Sequence, residues 1–236
     1  MKIIKPSYLN DKNLISYLLT PFTIFTILIN FSKNFLIRKK YKIKTICVGN
    51  IYIGGTGKTS LSIQINKILK NKFSTVFVKK RYLDQLDETK MLQAHGKLIS
   101  DENRGISLDK AELKKYDVAI LDDGLQDKKI DYDISIACFN STYGIGNGYL
   151  LPAGPLREKL EILKKYSAIF LVGEEKNRKL FSILKKFNNK IFYSKYVPIN
   201  IKSFNRKKSY LYFCGIGNPE EFENTLNKYK FKISKK

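Results

Sequence analysis

The chain has 236 residues, with 44 lysines and arginines against 21 acidic residues and a formal charge of +23. That length can bury one good α/β core and part of a second piece. A single histidine, His95, and three scattered cysteines exclude histidine-based metal cages, Ser-His-Asp chemistry and a disulfide framework.

Such a charge suits nucleic acid or an anionic membrane. Only six of the basic residues are arginine, however (Arg38, Arg81, Arg104, Arg157, Arg178 and Arg206), and arginine forks are what read base edges. We therefore expect no nucleic-acid partner, while an anionic lipid surface stays compatible. Cys47, Cys138 and Cys214 fall in apolar strand-like runs, so they read as buried free thiols of a reducing cytosol.

In chain order, residues Asn13 to Ser32 carry no formal charge and include Leu14-Ile-Ser-Tyr-Leu-Leu and Phe22-Thr-Ile-Phe-Thr-Ile-Leu-Ile29. About twenty such residues can span a bilayer, but Pro21 and interspersed Asn, Ser and Thr make the run only moderately apolar. No small-residue cleavage site follows, which argues against a secretory signal. The basic group Lys33, Arg38, Lys39, Lys40, Lys42 and Lys44 comes next. Lysines near anionic headgroups contribute about 1 kcal/mol each, so the pair of features suits a segment lying in the membrane interface. A spanning helix with its basic end in the cytosol, or a helix hairpin packed on the core, remains open.

Thr45-Ile-Cys-Val48 reads as a strand, and Leu61, Ile65, Ile68 and Leu69 share one face of a following helix. Between them lies Gly49-Asn-Ile-Tyr-Ile-Gly54-Gly55-Thr56-Gly57-Lys58-Thr59. Strand, glycine turn and helix in that order make a phosphate-binding loop. Backbone N–H groups of Gly54, Gly55, Thr56 and Gly57 close around phosphate oxygens at a helix N-terminus, Lys58 reaches the β- and γ-phosphates, and Thr59 offers its hydroxyl to Mg²⁺. The strict pattern G-x-x-x-x-G-K-[ST] asks for glycine where this chain has Tyr52, so Gly54 and Gly55 supply the turn. Ile53 stands where one subclass of related ATPases carries an extra lysine. No Asn-Lys-x-Asp run for guanine occurs, which favours ATP over GTP.

Ser74 to Val78 is a second strand, leading into Lys79-Lys80-Arg81-Tyr82, and Asp87-Glu88 opens a helical pattern. Tyr116 to Leu121 is a buried strand that ends in Asp122-Asp123-Gly124-Leu125-Gln126. Adjacent carboxylates at a strand end repel unless a cation lies beside them, which points to the second Mg²⁺-binding element of phosphate-loop enzymes. A strand at 133–139 leads to a glycine- and proline-rich loop from Gly144 to Glu158. Strands at 168–172 and 190–194 flank a helix over 176–187. After the polar stretch 200–208 come a strand at 209–214, Gly215-Ile-Gly-Asn-Pro219 and a helix around Phe222, Leu226 and Tyr229.

The alternation predicts an α/β fold: a P-loop NTPase-like, mostly parallel sheet flanked by helices, with an N-terminal hydrophobic helical segment and the beginning of a smaller C-terminal α/β subdomain. We divide it into a membrane-facing segment 1–44, a kinase-like core 45–200 and a partial subdomain 201–236.

Four stretches fall together in a familiar order: Val48 to Thr59, Leu121-Asp-Asp-Gly-Leu-Gln126, Gly146-Asn-Gly-Tyr-Leu-Leu-Pro-Ala-Gly-Pro-Leu-Arg-Glu158 and Gly215 to Pro219. In them the chain resembles the tetraacyldisaccharide 4'-kinases, the lipid A kinases of Gram-negative bacteria, which also tolerate a non-glycine residue at the place of Tyr52. The resemblance implies an enzyme on the cytoplasmic face of the inner membrane, peripheral or monotopic. It would move the γ-phosphate of ATP to the 4'-hydroxyl of a lipid A disaccharide precursor, tetraacyldisaccharide 1-phosphate. It further implies ATP and Mg²⁺ as cofactors, Lys58 and Thr59 on phosphates and metal, Asp122, Asp123 and Glu158 as the acidic Mg²⁺ shell, and Asp87 as the catalytic base beside Lys58. The chain departs from the family pattern at Lys80-Arg81-Tyr82, at Leu86 and at Asp127. The family's Phe-Pro-Asp-His motif is expected just past Ile233, so a kinase truncated at its C-terminus is the expectation. The alternative is an inactive or regulatory membrane-associated ATP-binding protein.

Overall fold

Short β-branched runs spaced by helices pair into one seven-stranded parallel sheet. The computed structural model of the protein describes residues 6–82, 86–173, 177–214 and 219–235. Its elements are α1 (Leu14–Leu19), α2 (Thr23–Ser32), β1 (Lys44–Gly49), α3 (Lys58–Leu69), β2 (Thr75–Lys80), α4 (Leu86–Gln93), β3 (Leu98–Asp101), α5 (Arg104–Leu113), β4 (Val118–Asp122), β5 (Ile134–Asn140), β6 (Ala168–Val172), α6 (Arg178–Lys185) and β7 (Ile191–Ser194). The strand order is β3-β2-β4-β1-β5-β6-β7. From β1 the chain first builds β2, β3 and β4 on one side, then crosses to β5 on the other. The reversal leaves a crevice at the carboxyl end of β1, where open α/β sheets bind ligands.

Strand alternation sends successive side chains to opposite faces. Phe77, Val118 and Ile120 pack with Ile63 of α3 and Leu92 of α4, while Val76, Val78, Ala119 and Leu121 pack with Leu108 and Ala111 of α5 and with Leu180 and Leu184 of α6. Both faces are covered, as a parallel sheet requires. The expected parallel sheet is thus present. The sequence reading lacked β3 and α5. β3 is four half-buried residues at the sheet edge, too short to show a period, and α5 starts at Asn103, whose side chain accepts from Ile106 N–H, a cap inside a polar stretch.

The expected face of α3 is corrected in part: Ile65 and Leu69 pack against the core, but the fully buried stripe is a different one. Ser62, Ile63 and Asn66 are buried while Ile68 is 65% exposed. Polar residues occupy the buried stripe because each has a partner: Ser62 donates to Asp122, and Asn66 accepts from Thr75 Oγ1 and donates to the His95 carbonyl.

Residues Leu14–Phe35 form one near-continuous helical run of 22 residues, long and apolar enough to cross a membrane by length and composition alone. Asn13 and Ser16 make a reciprocal capping box at its start, and Pro21 sits in a 3₁₀ turn between α1 and α2. Two of its polar residues reach the protein beyond the run. Thr26 Oγ1 donates to the Leu151 carbonyl at 2.7 Å and Asn30 Nδ2 to the Arg157 carbonyl at 2.8 Å. Leu14, Leu18, Phe25 and Ile29 are 74, 66, 61 and 56% exposed. Of the basic group that follows, Lys39 pairs with Asp109, and Lys40 and Lys44 pair with Asp133, so these three are partly neutralised by the protein itself.

The chain divides into two compact units, 1–194 and 195–236. The second contains β8 (Ser209–Leu211), α7 (Pro219–Lys228) and β9 (Lys232–Lys235), with β8 and β9 parallel. This is the small α/β piece expected there, and β9 was missing from the sequence reading. Phe204, Tyr210 and Phe231 stack edge to face around a cavity of about 250 Å³. The Gly215 to Asn218 part of the fourth motif lies outside the described residues. Cys47 and Cys138 are buried, and burial pushes the Cys47 thiol up to about 12. Cys214 is only half-buried, because it lies beyond the end of β8.

Candidate active site

The loop from Gly49 to Thr59 leaves the carboxyl end of β1, the central strand. Gly57 caps α3 with φ +77°, and Gly54 has φ +131°, both in the region where a Cβ is strained. Asn50 Nδ2 donates to Thr56 Oγ1 at 2.9 Å, and Gln126 Nε2 donates to the Asn50 carbonyl at 2.6 Å. Tyr52, the residue that breaks the strict pattern, is 1% exposed and packs with Leu150 and Leu156, with Ile27 of α2 against them. Burial pushes its hydroxyl up to about 12. Ile53 N–H donates to the Pro155 carbonyl and Arg157 N–H to the Ile51 carbonyl. The Gly144–Glu158 loop therefore braces the phosphate loop from outside, and Tyr52 is its keystone contact.

Alternation places Asp122 on the α3 face of β4, fully buried. Its Oδ2 accepts from Thr59 Oγ1 at 3.2 Å and its Oδ1 from Ser62 Oγ at 3.3 Å. Lys79 of β2, two residues beyond Phe77 on the same face, donates to Asp122 Oδ2 at 3.2 Å and also to Glu88 Oε2 in α4. Burial raises the Asp122 carboxyl above its ordinary range, against the opposing pull of Lys79 and Lys58. Burial alone would lower the Lys79 ammonium, but the two carboxylates outweigh it and raise it.

Asp123, the next residue, adopts φ +56°. Its Oδ1 lies 3.7 Å from both Lys58 Nζ and Arg157 NH1 and is buried without a hydrogen-bond partner among the described residues. Arg104, from the start of α5, donates to the Asp123 carbonyl at 2.6 Å. A buried carboxylate bonded to a threonine hydroxyl, followed in sequence by a carboxylate oxygen without a hydrogen bond, is a donor set that fits Mg²⁺, which takes one or two carboxylates and fills its octahedron with phosphates and water.

Lys58 thus lies beside Asp123 and Thr59 beside Asp122. Glu158 is engaged elsewhere: it pairs with Lys128 Nζ at 2.8 Å and accepts from Tyr166 OH at 3.1 Å. Among the described residues no three Asp, Glu, Cys or His side chains converge on one point, so Glu158 does not complete a preformed acidic cage. Asp87 is exposed in the first turn of α4, next to Glu88. Lys79, Ser62 and Arg104 were missing from the sequence reading. Only Lys79 leaves a signal, a lysine in strand phase with a core phenylalanine.

The sequence model of the tetraacyldisaccharide-1-P 4'-kinase family matches residues 15–236. The tetraacyldisaccharide 4'-kinase of Pelagibacter ubique is 47% identical over 241 residues, covering 99% of this chain and 76% of that protein. The enzyme of Rickettsia canadensis is 34% identical over 252 residues, with 99% and 76% covered. A crystal structure of LpxK from Aquifex aeolicus in complex with ATP matches with a TM-score of 0.68 at 24% identity, over 94% of this chain and 81% of that one, a likeness of fold. With nearly the whole chain aligned to named relatives and the phosphate loop, acidic strand end and bracing loop in place, the chain belongs to the tetraacyldisaccharide 4'-kinase family.

Proposed function

We propose that this protein transfers the γ-phosphoryl group of ATP to the 4'-hydroxyl of a tetraacylated glucosamine disaccharide 1-phosphate, the lipid A precursor, while resting on the cytoplasmic face of the inner membrane. The observation that carries this reading is one loop with two contacts. Residues Gly144 to Glu158 brace the phosphate loop through Pro155 and Arg157 and hold the exposed apolar helix through Leu151 and Arg157. A nucleotide site and a lipid-facing surface are thereby fixed to each other.

In this reading the amides of Gly54, Gly55, Thr56 and Gly57 and the Lys58 ammonium bind the phosphates. Thr59, Asp122 and Asp123 would hold Mg²⁺, whose charge would neutralise the phosphate oxygens. Phosphoryl transfer asks mainly for positioning and charge neutralisation, so a single group near the attacking oxygen suffices, and Asp87 takes the proton of the sugar hydroxyl. Arg157 and Lys58 flank the orphaned Asp123 oxygen and keep that end of the site cationic for an incoming triphosphate.

The helical run 14–35 lies in the interface rather than across it. Its Thr26 and Asn30 are bonded to loop carbonyls, and a spanning helix would carry that irregular loop into hydrocarbon, where exposed loops are not tolerated. The reading as an inactive or regulatory ATP-binding protein is not favoured, since the relatives are named as kinases. Purified protein with Mg²⁺-ATP and the disaccharide 1-phosphate lipid in mixed micelles should yield a 4'-phosphorylated product, read by mass spectrometry. No product above background at saturating enzyme would overturn the reading.

A further inference from the structure

Lys79 is the one fully buried cation at the carboxyl end of the described sheet strands, at 1% exposure. An ammonium is costly to bury, and a buried ion pair taken as a whole is often no better for stability than apolar residues packed in its place. Its two partners explain its presence. Asp122 belongs to β4 and sits beneath the phosphate loop, bonded to Thr59 and Ser62. Glu88 belongs to the first turn of α4, one residue from Asp87.

Helix α4 is only eight residues long, too short to hold its own ends. Its last turn is fixed by Leu92, fully buried against Phe77 and Ile120. Glu88 lies four residues before Leu92, on the same face, so Lys79 fixes the first turn as Leu92 fixes the last. Both anchors rise from the same side of β2, from Phe77 and Lys79.

We propose that Lys79 is a positioning residue for the phosphoryl transfer: by holding Glu88 and Asp122 at once, it ties the first turn of α4, and with it Asp87, to the strand end that carries the metal-binding carboxylates. This rests on the function proposed above. Lys79 touches neither substrate in this role. It sets the register between a helix turn and a strand end that, among the described residues, no backbone hydrogen bond joins. An error of about 1 Å in such a register can cost about 10²-fold in rate.

The test pairs kinetics with hydrogen exchange. Lys79→Met should lower kcat by about 10- to 100-fold while the Kd for a non-hydrolysable ATP analogue changes by less than about threefold. In the nucleotide-free protein, amides of residues 86–90 should exchange faster, with those of β4 unchanged. Lys79→Arg, which keeps the charge, should retain more activity than Lys79→Met. Glu88→Gln, at a half-exposed position that tolerates substitution, should reproduce the kcat loss, and the double variant should lose no more than Lys79→Met alone. Unchanged kcat in Glu88→Gln, multiplicative losses in the double variant, or a Glu88→Gln deficit abolished by raising Mg²⁺ would each overturn the proposal. So would parallel loss of kcat, analogue binding and melting temperature in Lys79→Met, the mark of a merely structural pair. If the unmodified protein makes no 4'-phosphate, the function reading fails, and the exchange of residues 86–90 still decides whether Lys79 is the tether.

Discussion

At the carboxyl ends of β1, β2 and β4 the chain buries Lys79 and Asp122, whereas along residues 14–37 it exposes Leu14, Leu18, Phe25, Phe35 and Ile37. Both regions reverse the usual placement of polar and apolar groups, and they do so for different neighbours. The sheet end holds charge in a water-poor crevice, where it acts strongly on another charge. The helical run turns Thr26 and Asn30 inward to loop carbonyls and leaves its apolar side exposed. On the proposed function, one reversal serves the nucleotide and the other the lipid. The comparison can be broken at either end.

The largest effect is expected at the cationic floor of the phosphate loop. Lys58→Ala should lower kcat/KM by about 10²–10³-fold, the range for removing a charged donor aimed at the transition state, with vesicle association unchanged. A loss of membrane association in the same variant would mean that the phosphate loop and the lipid-facing run do not act separately. Asp87→Asn should follow, at about 10²-fold in kcat, the low end for a general base because a loose phosphoryl transition state needs little proton removal. Binding of an ATP analogue should stay near normal. Equal loss of both would make Asp87 structural.

A smaller change is expected from the lipid side. Leu18→Glu with Phe25→Glu places two charges seven residues apart on the exposed face and should weaken sedimentation with anionic vesicles at least about tenfold, since each apolar side chain contributes about 1.5–3 kcal/mol when buried. Turnover of a short-chain soluble substrate should be unaffected. Unaltered sedimentation would show that Leu18 and Phe25 do not meet lipid.

How much of this was legible in the sequence follows the same division. The glycine loop and the Asp122-Asp123 pair are contiguous in sequence, so composition and order were enough to find them. Lys79, Ser62 and Arg104 join the site from β2, α3 and α5, and their roles depend on strand register and helix rotation, which only pairing decides. Of the face expected for α3, Ile65 and Leu69 pack against the core but Ile68 is exposed for this reason. Its buried stripe includes Ser62 and Asn66, and a hydrophobic period does not register polar residues whose partners lie on other strands. Glu158 shows the converse. Its motif is distinctive, yet its nearest partners are Lys128 and Tyr166, from segments no local pattern links to it. The apolar run 14–35 was visible by composition, but which side faces the protein was set by two hydrogen bonds to a loop more than a hundred residues away.

The smallest effect is expected at the other end of the sheet, where a carboxylate is partly buried with no ligand to serve. Asp133, just before β5, accepts from Thr45 N–H at 2.8 Å and Thr45 Oγ1 at 2.9 Å and lies 3.1 Å from Lys40. Burial, the largest influence, pushes its carboxyl up, but the Thr45 amide, the Lys40 ammonium and the Thr45 hydroxyl together outweigh it and hold it below the ordinary range. A carboxyl lowered in the folded state adds stability above its unfolded pKa of about 3.9 and loses it as pH falls through the folded value. Asp133→Ala leaves the Thr45 amide without this acceptor, so it should cost about 1–3 kcal/mol at pH 7, a melting shift of several degrees, with kcat unchanged. The gap between variant and unmodified protein should be constant above about pH 5 and narrow below about pH 4. Because Asp133 and Asp122 are both partly or wholly buried carboxylates facing lysine, a kcat loss in Asp133→Ala would remove the distinction between a charge buried for stability and one buried for chemistry.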